Sequence, residues 1–320
     1  MRIGVLTSGG DAPGMNAAVR AVVRTVIARG GEAVGIERGY HGLVDDHVIP
    51  LSLHSVSGII DQGGTILKTA RCERFKTPEG QAAAAATIAR NAIDGIAIVG
   101  GDGSYRGALA LNRTCGAHVI GLPGTIDNDI PGTLYTIGFD TAINTALEAI
   151  DRIRDTSESH DRVFVVEVMG RADGSIAMEV ALAGGAEAVI TPEHHVDMVE
   201  LCRRIQAWRE RGKMSCIVVV AEGAASGAAV GATITQVTGI ETRVSVLGHI
   251  QRGGSPTARD RSLATRMGVC AADLLLAGST NLMVGVGEGG ATVTNPLEEI
   301  LQQEHKLDAS LFDVLEVTAT

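Results

Sequence analysis

The sequence is short of aromatic side chains: four Phe, three Tyr and one Trp make up 2% of its 320 residues. A core without rings must be built from Val, Ile, Leu and Ala, the material of buried parallel sheets with helices on both faces. There is no excess of positive charge either, since 27 Lys and Arg stand against 37 Asp and Glu, a formal net charge of −10. That balance argues against general nucleic-acid or anionic-membrane binding and leaves only local arginine clusters for anions. Cys72, Cys115, Cys202, Cys216 and Cys270 are odd in number and form no C-x-x-C pair, so a reduced, cytoplasmic location is expected. No apolar run is long enough to span a bilayer, and Met1-Arg2 leads straight into a strand, leaving no room for a signal peptide.

Glycine, by contrast, is plentiful, and the 41 glycines gather at the ends of apolar runs. That placement marks turns between strand and helix that approach a ligand. Ile3-Gly4-Val5-Leu6 reads as a strand, followed by a Gly-rich loop and a helix carrying Val19, Val22, Val23, Val26 and Ile27, which Gly30-Gly31 stops. Val34 to Ile36, Gly95 to Val99 and Val119 to Leu122 continue as strands, with a plain helix over 82–91. The pattern restarts at Val163–Val166, Ala188–Ile190, Ile217–Val220 and Val244–Leu247, with helices expected over 175–184, 196–211 and 229–238. Alternating β and α predicts an α/β fold: two packed Rossmann-like three-layer α/β/α domains with mostly parallel sheets and right-handed crossovers. A chain of this length favours two domains. They are expected as a larger domain (1–138 plus 251–300) and a smaller one (139–250 plus 301–320).

Three loops carry the chemistry. Thr7-Ser8-Gly9-Gly10-Asp11-Ala12-Pro13-Gly14 offers backbone N–H groups and a helix N-terminus to an anion, although a tight turn explains it as well. Gly100-Gly101-Asp102-Gly103-Ser104 lets backbone approach a polyphosphate while a carboxylate meets Mg²⁺; the alternative is an Asp N-cap for a helix beginning near Ser104. Pro123-Gly124-Thr125-Ile126-Asp127-Asn128-Asp129 crowds two carboxylates beside a hydroxyl, which calls for a cation, though a solvated turn can also carry D-N-D.

Together with Val168-Met169-Gly170-Arg171 and Gly248-His249-Ile250-Gln251-Arg252-Gly253-Gly254, these loops closely resemble the ATP-dependent 6-phosphofructokinases of the bacterial type. The resemblance runs in order from Arg2 to about Gly287. It implies a glycolytic kinase with ATP as donor and Mg²⁺ as cofactor, and Asp127 as the base that takes the proton from the 1-hydroxyl of fructose 6-phosphate. Asp102 would hold the metal and Asp129 would support it or orient the loop. Thr125 would bond the transferring phosphoryl group. Gly10, Gly101, Gly103 and Ser104 would border the nucleotide, with Arg71 and Cys72 beside it, and Arg171 would neutralise charge. Met169, Gly170, Glu222, His249 and Arg252 would bind the sugar phosphate, joined by Arg162 and Arg243 from a neighbouring subunit, so a homo-oligomer, a tetramer, is implied. Read singly, each arginine is a solvated charge and His249 an interior histidine.

Pyrophosphate-using relatives commonly carry Asp at the position of Gly103 and Lys at that of Gly124, so the two glycines imply ATP. Residues Arg20, Arg24, Arg154, Gly185, Glu187, Arg211 and Lys213 match a site for ADP or phosphoenolpyruvate. Arg20 and Arg24 lie one helical turn apart, yet a solvated helix face fits them equally. Leu53 and Gly58 stand where an Arg and an Asp are common, which points to a weakened effector response. Lys68 and Cys72 depart from the family pattern next to the nucleotide. Two rivals to the kinase reading are another G-G-D-G enzyme, acting on NAD or a lipid headgroup, and a non-catalytic nucleotide sensor.

Overall fold

The computed structural model describes residues 1–157 and 162–319. In chain order the elements are β1 (Arg2–Thr7), α1 (Met15–Ala28), β2 (Glu32–Ile36), α2 (Tyr40–Asp45), β3 (Val48–Leu51), α3 (Pro78–Arg90), β4 (Gly95–Gly100), α4 (Asp102–Cys115), β5 (His118–Pro123) and α5 (Phe139–Ser157). They continue with β6 (Val163–Val168), α6 (Ser175–Ala183), β7 (Ala188–Ile190), α7 (Met198–Glu210), β8 (Cys216–Ala221), α8 (Gly227–Thr238) and β9 (Thr242–Val246). The last are α9 (Ala258–Leu276), β10 (Leu282–Val286), β11 (Thr292–Pro296), α10 (Leu297–Ile300) and α11 (Ser310–Thr318).

The chain divides into two compact units: 1–126 with 130–141 and 252–305, and 127–129 with 142–251 and 306–320. The first holds a seven-stranded sheet in the order β11-β10-β5-β4-β1-β2-β3, parallel except for β3 and β11, which close its two edges antiparallel. Strand β4 is buried along its whole length, as expected of a central parallel strand covered on both faces. The valine stripe of α1 (Val19, Val22, Val23 and Val26) is buried, and the helix packs against α9. That approach needs Gly268, where a Cβ would come within 2.7 Å of the Ala21 Cβ and 2.9 Å of the Ala18 carbonyl oxygen.

Buried Asp260, on α9, accepts from the Gly138 N–H, the Thr141 N–H (both 2.9 Å) and the Thr141 hydroxyl (2.5 Å). A helix start leaves N–H groups without intrahelical partners, and here a carboxylate from another helix serves those of α5. Burial pushes the Asp260 carboxyl above its ordinary range, and the Thr141 and Gly138 donors oppose that rise.

The second unit holds a four-stranded parallel sheet, β7-β8-β6-β9. Its core gathers Val163, Val165, Val218 and Val220 with Leu201, Ile205 and Trp208 of α7 and Ile234 of α8. Strand β8 is fully buried, whereas β9 lies at the edge, with Val244 39% and Val246 59% exposed.

One local alternative falls away. Asp102 is no N-cap: Gly101 occupies that place without a side-chain cap, and Asp102 opens the first turn of α4. A carboxylate there is favoured by the helix dipole, and it stays half exposed.

Candidate active site

In the first unit the candidate anion-binding groups are mostly backbone. Strand β1 ends at Thr7, whose hydroxyl donates to the Lys68 carbonyl (2.9 Å) and contacts the Thr65 hydroxyl (3.0 Å). Thr69 donates to the Gly9 carbonyl (2.6 Å), tying the loop down. Gly10 allows a close approach: a Cβ there would meet the Arg252 guanidinium at 2.3 Å. Arg252 itself donates to the Asp11 carbonyl (3.3 Å).

At the end of β4, open space surrounds the positions a Cβ would take on Gly101 and Gly103. The Ser104 carbonyl accepts the Tyr40 hydroxyl at 2.5 Å, and Ser104 itself is buried. The Asp102 carboxylate is 48% exposed and lies 3.7 Å from the Arg106 guanidinium. A hard, accessible carboxylate beside backbone N–H groups fits Mg²⁺, which takes one or two carboxylates and leaves its other positions to water and substrate phosphates. Arg71 and Lys68 are exposed, whereas Cys72 is half-buried and packs against the core.

Gly124 differs from Gly103. A Cβ on it would lie 2.8 Å from Val99 and 3.1 Å from Met15, so packing at the end of β5 already demands a glycine there. The Thr125 carbonyl that follows accepts the Thr136 hydroxyl at 2.6 Å.

In the second unit the candidate groups are side chains. Asp127 is 2% exposed, and Asn128 takes φ 56°, a left-handed conformation that Asn tolerates better than most residues. Asp129 pairs with the Arg171 guanidinium at 3.4 Å. Arg171 also has φ 56°, and its N–H donates to the Glu222 carboxylate at 3.0 Å. A non-glycine residue held in this region is strained and persists only when its surroundings fix it. Beside it, Gly170 at φ 145° has no room for a Cβ, which would meet the Asp173 carbonyl oxygen at 2.5 Å. Gln251 is fully buried and accepts the Met169 N–H at 2.8 Å. In the sequence Gln251 is a neutral amide among charged residues and carries no signal of its own.

His249 is exposed, on a 3-10 turn over Gly248–Arg252, so it is not an interior histidine. Arg162 and Arg243 share the Glu241 carboxylate in the second unit, while Arg252 groups with the first unit.

The effector candidates of the second unit are largely paired among themselves. Arg154 donates to the Gly185 carbonyl (2.8 Å), Lys213 bonds buried Glu187 (3.0 Å), and Arg211 donates to the Ala207 carbonyl (3.3 Å). In the first unit Arg20 and Arg24 are half-buried rather than part of a fully solvated face. Leu53 is 47% exposed, and Gly58 borders open space at φ 68°.

Parallel α/β units with glycine-rich and arginine-bearing loops at the ends of their strands define an enzyme class that handles phosphate esters. The phosphofructokinase family pattern matches residues 2–275, and the chain belongs to that family. It is 54% identical over 320 residues to ATP-dependent 6-phosphofructokinase 1 of Thermus thermophilus, with 99% of each chain covered. It is 53% identical over 311 residues to the ATP-dependent 6-phosphofructokinase of Halalkalibacterium halodurans, covering 97% of each. The phosphofructokinase of Saccharomyces cerevisiae superposes with a TM-score of 0.88 at 34% identity; the match covers 99% of this chain and 47% of the yeast chain, so this chain spans about half its length. A pyrophosphate-dependent phosphofructokinase from Marinobacter aquaeolei gives 0.86 at 25% identity, covering 97% and 86%. Relatives named for different donors thus share the fold, and the fold alone does not select the donor.

Proposed function

We propose that the protein is a glycolytic kinase that transfers the γ-phosphoryl group of ATP to the 1-hydroxyl of fructose 6-phosphate, giving fructose 1,6-bisphosphate and ADP. The observation that carries this reading is near-full-length identity above one half with bacterial proteins named ATP-dependent 6-phosphofructokinase. The chemistry of the loops supports it. Asp127 takes the proton of the attacking hydroxyl, acting as its carboxylate. The transition state of phosphoryl transfer is loose and asks chiefly for alignment and charge neutralisation. Arg171 supplies charge, its backbone fixed by Glu222 and its guanidinium by Asp129. Thr125 bonds the transferring group, and a carboxylate with two oxygens lets Glu222 also accept a sugar hydroxyl. Asp102 would hold Mg²⁺, which neutralises charge on the nucleotide's phosphates.

The Gly10 loop with Gly101, Gly103, Ser104, Arg71 and Cys72 is assigned to the nucleotide. Met169, Gly170, Arg162, Arg243, His249 and Arg252 are assigned to the sugar phosphate. Arg162 and Arg243 act from a neighbouring subunit of a tetramer; the exposed edge strand β9, which carries Arg243, supports an assembly because an open edge invites pairing. The cytoplasm is the proposed location, supported by five free cysteines; among the described residues no helix is long and apolar enough to cross a membrane. Without the guanidinium that Leu53 replaces, response to ADP or phosphoenolpyruvate is expected to be weak. An NAD or lipid kinase and a non-catalytic sensor are not favoured, because neither needs the D-N-D, M-G-R and G-H-I-Q-R-G-G segments together.

The test is to supply fructose 6-phosphate and Mg²⁺ with either ATP or pyrophosphate and to measure fructose 1,6-bisphosphate. Product with ATP alone is expected. Product with pyrophosphate alone, or none with either, overturns the reading.

A further inference from the structure

Strands β6 and β9 run parallel, with Val163 opposite Thr242 and Phe164 opposite Arg243. The residues just before them, Arg162 and Glu241, therefore face each other across the start of the pair, where the Val163 N–H also donates to the Glu241 carbonyl at 3.2 Å. Glu241 and Arg243 are two positions apart, so the strand's alternation places them on one side. The Arg162 Nε donates to one oxygen of the Glu241 carboxylate at 2.8 Å, and the other oxygen forms an ion pair with the Arg243 guanidinium.

One carboxylate therefore holds two guanidiniums that would otherwise repel each other and spread into solvent. Arg162 uses only its Nε in this bond, and a guanidinium has five N–H donors, so donors remain for a phosphate. We propose that Glu241 is a positioning residue for the sugar phosphate: it fixes Arg162 and Arg243 as a prepaired cationic fork before the 6-phosphate arrives. The proposal rests on assigning those two arginines to the 6-phosphate. Preorganisation of this kind improves affinity by lowering the ordering cost of binding, so its loss raises KM and spares the chemical step. Glu241 touches no reacting atom. Its side chain is 49% exposed, so a substitution there leaves the core unchanged.

The experiment measures kcat and KM for fructose 6-phosphate and for ATP in wild type, Glu241→Gln, Glu241→Asp, Arg162→Ala and Arg243→Ala. Glu241→Gln keeps the size and loses the charge; its KM for fructose 6-phosphate should rise roughly five-fold, the scale of a half-exposed charge pair. Its kcat and its KM for ATP should stay within about two-fold, the precision of such comparisons. Glu241→Asp keeps the charge with a shorter reach and should recover part of the loss, which a purely structural role does not explain. In an Arg243→Ala background Glu241→Gln should have a smaller effect, because half of the fork is already gone. An unchanged or lowered KM in Glu241→Gln, with Arg162→Ala and Arg243→Ala both raising it, overturns the Glu241 proposal alone. If neither arginine variant raises KM, the assignment beneath it falls; if wild type makes no bisphosphate, the kinase reading falls.

Discussion

The two units are proposed to bind anions by different means. In the first, the groups assigned to the nucleotide are backbone at Gly10, Gly101 and Gly103, with Asp102 as the acidic side chain among them. In the second, the groups assigned to phosphate are Arg171, Arg162 and Arg243, and each is paired with a carboxylate (Asp129 or Glu241). The difference matches the ligands proposed for them. A polyphosphate lies along a loop and a helix N-terminus, where many weak N–H donors act together. A single sugar phosphate is a compact dianion, for which planar guanidinium forks are suited. Such forks must also be oriented, the role proposed for the Asp129 and Glu241 carboxylates.

The sharpest way to break this comparison is at the base. Replacing Asp127 with Ala should lower kcat at least ~10²-fold, the low end for loss of a general base, with little change in either KM; a near-wild-type kcat removes Asp127 from its role. Next, Arg243→Ala should raise KM for fructose 6-phosphate about ten-fold or more, given ~1.5–3 kcal/mol for a hydrogen bond to a charged group. It should leave KM for ATP alone, as initial rates at varied ATP will show.

A structural test lies in Asp260. Replacing it with Ala strips the acceptor from three donors at the start of α5, and should cost about 3 kcal/mol in urea unfolding. The smallest effect is expected at Gly103, which faces open space within α4. Gly103→Ala should raise stability by up to ~1 kcal/mol, since Ala favours helix over Gly, while its methyl group crowds the nucleotide and raises KM for ATP a few-fold.

Much of this was legible in the sequence. Strands such as Gly95 to Val99 and Ile217 to Val220 are apolar runs bounded by glycine and acidic residues, and both are buried strands. The edge strands β3 and β11 went unread, because Pro50 and Pro296 and polar Thr and Asn break their apolar pattern. Helices α5 and α9, each of 19 residues, also went unread. Positions of Asp102, Asp127 and Arg171 at strand ends follow from local motifs. Partners such as Gln251 for Met169, or Asp260 for Thr141, are separated by 82 and 119 residues, and no local pattern announces them.

Gly103 opens onto space, but Gly124 is required by Val99 and Met15, so Gly103 carries more of the weight for ATP than Gly124 does.

The division of labour is tested most directly by measuring KM for ATP and for fructose 6-phosphate side by side in Gly103→Ala and Arg243→Ala. Crossed effects are expected: the first variant raises only KM for ATP, the second only KM for fructose 6-phosphate. Both constants rising together in either variant would contradict it.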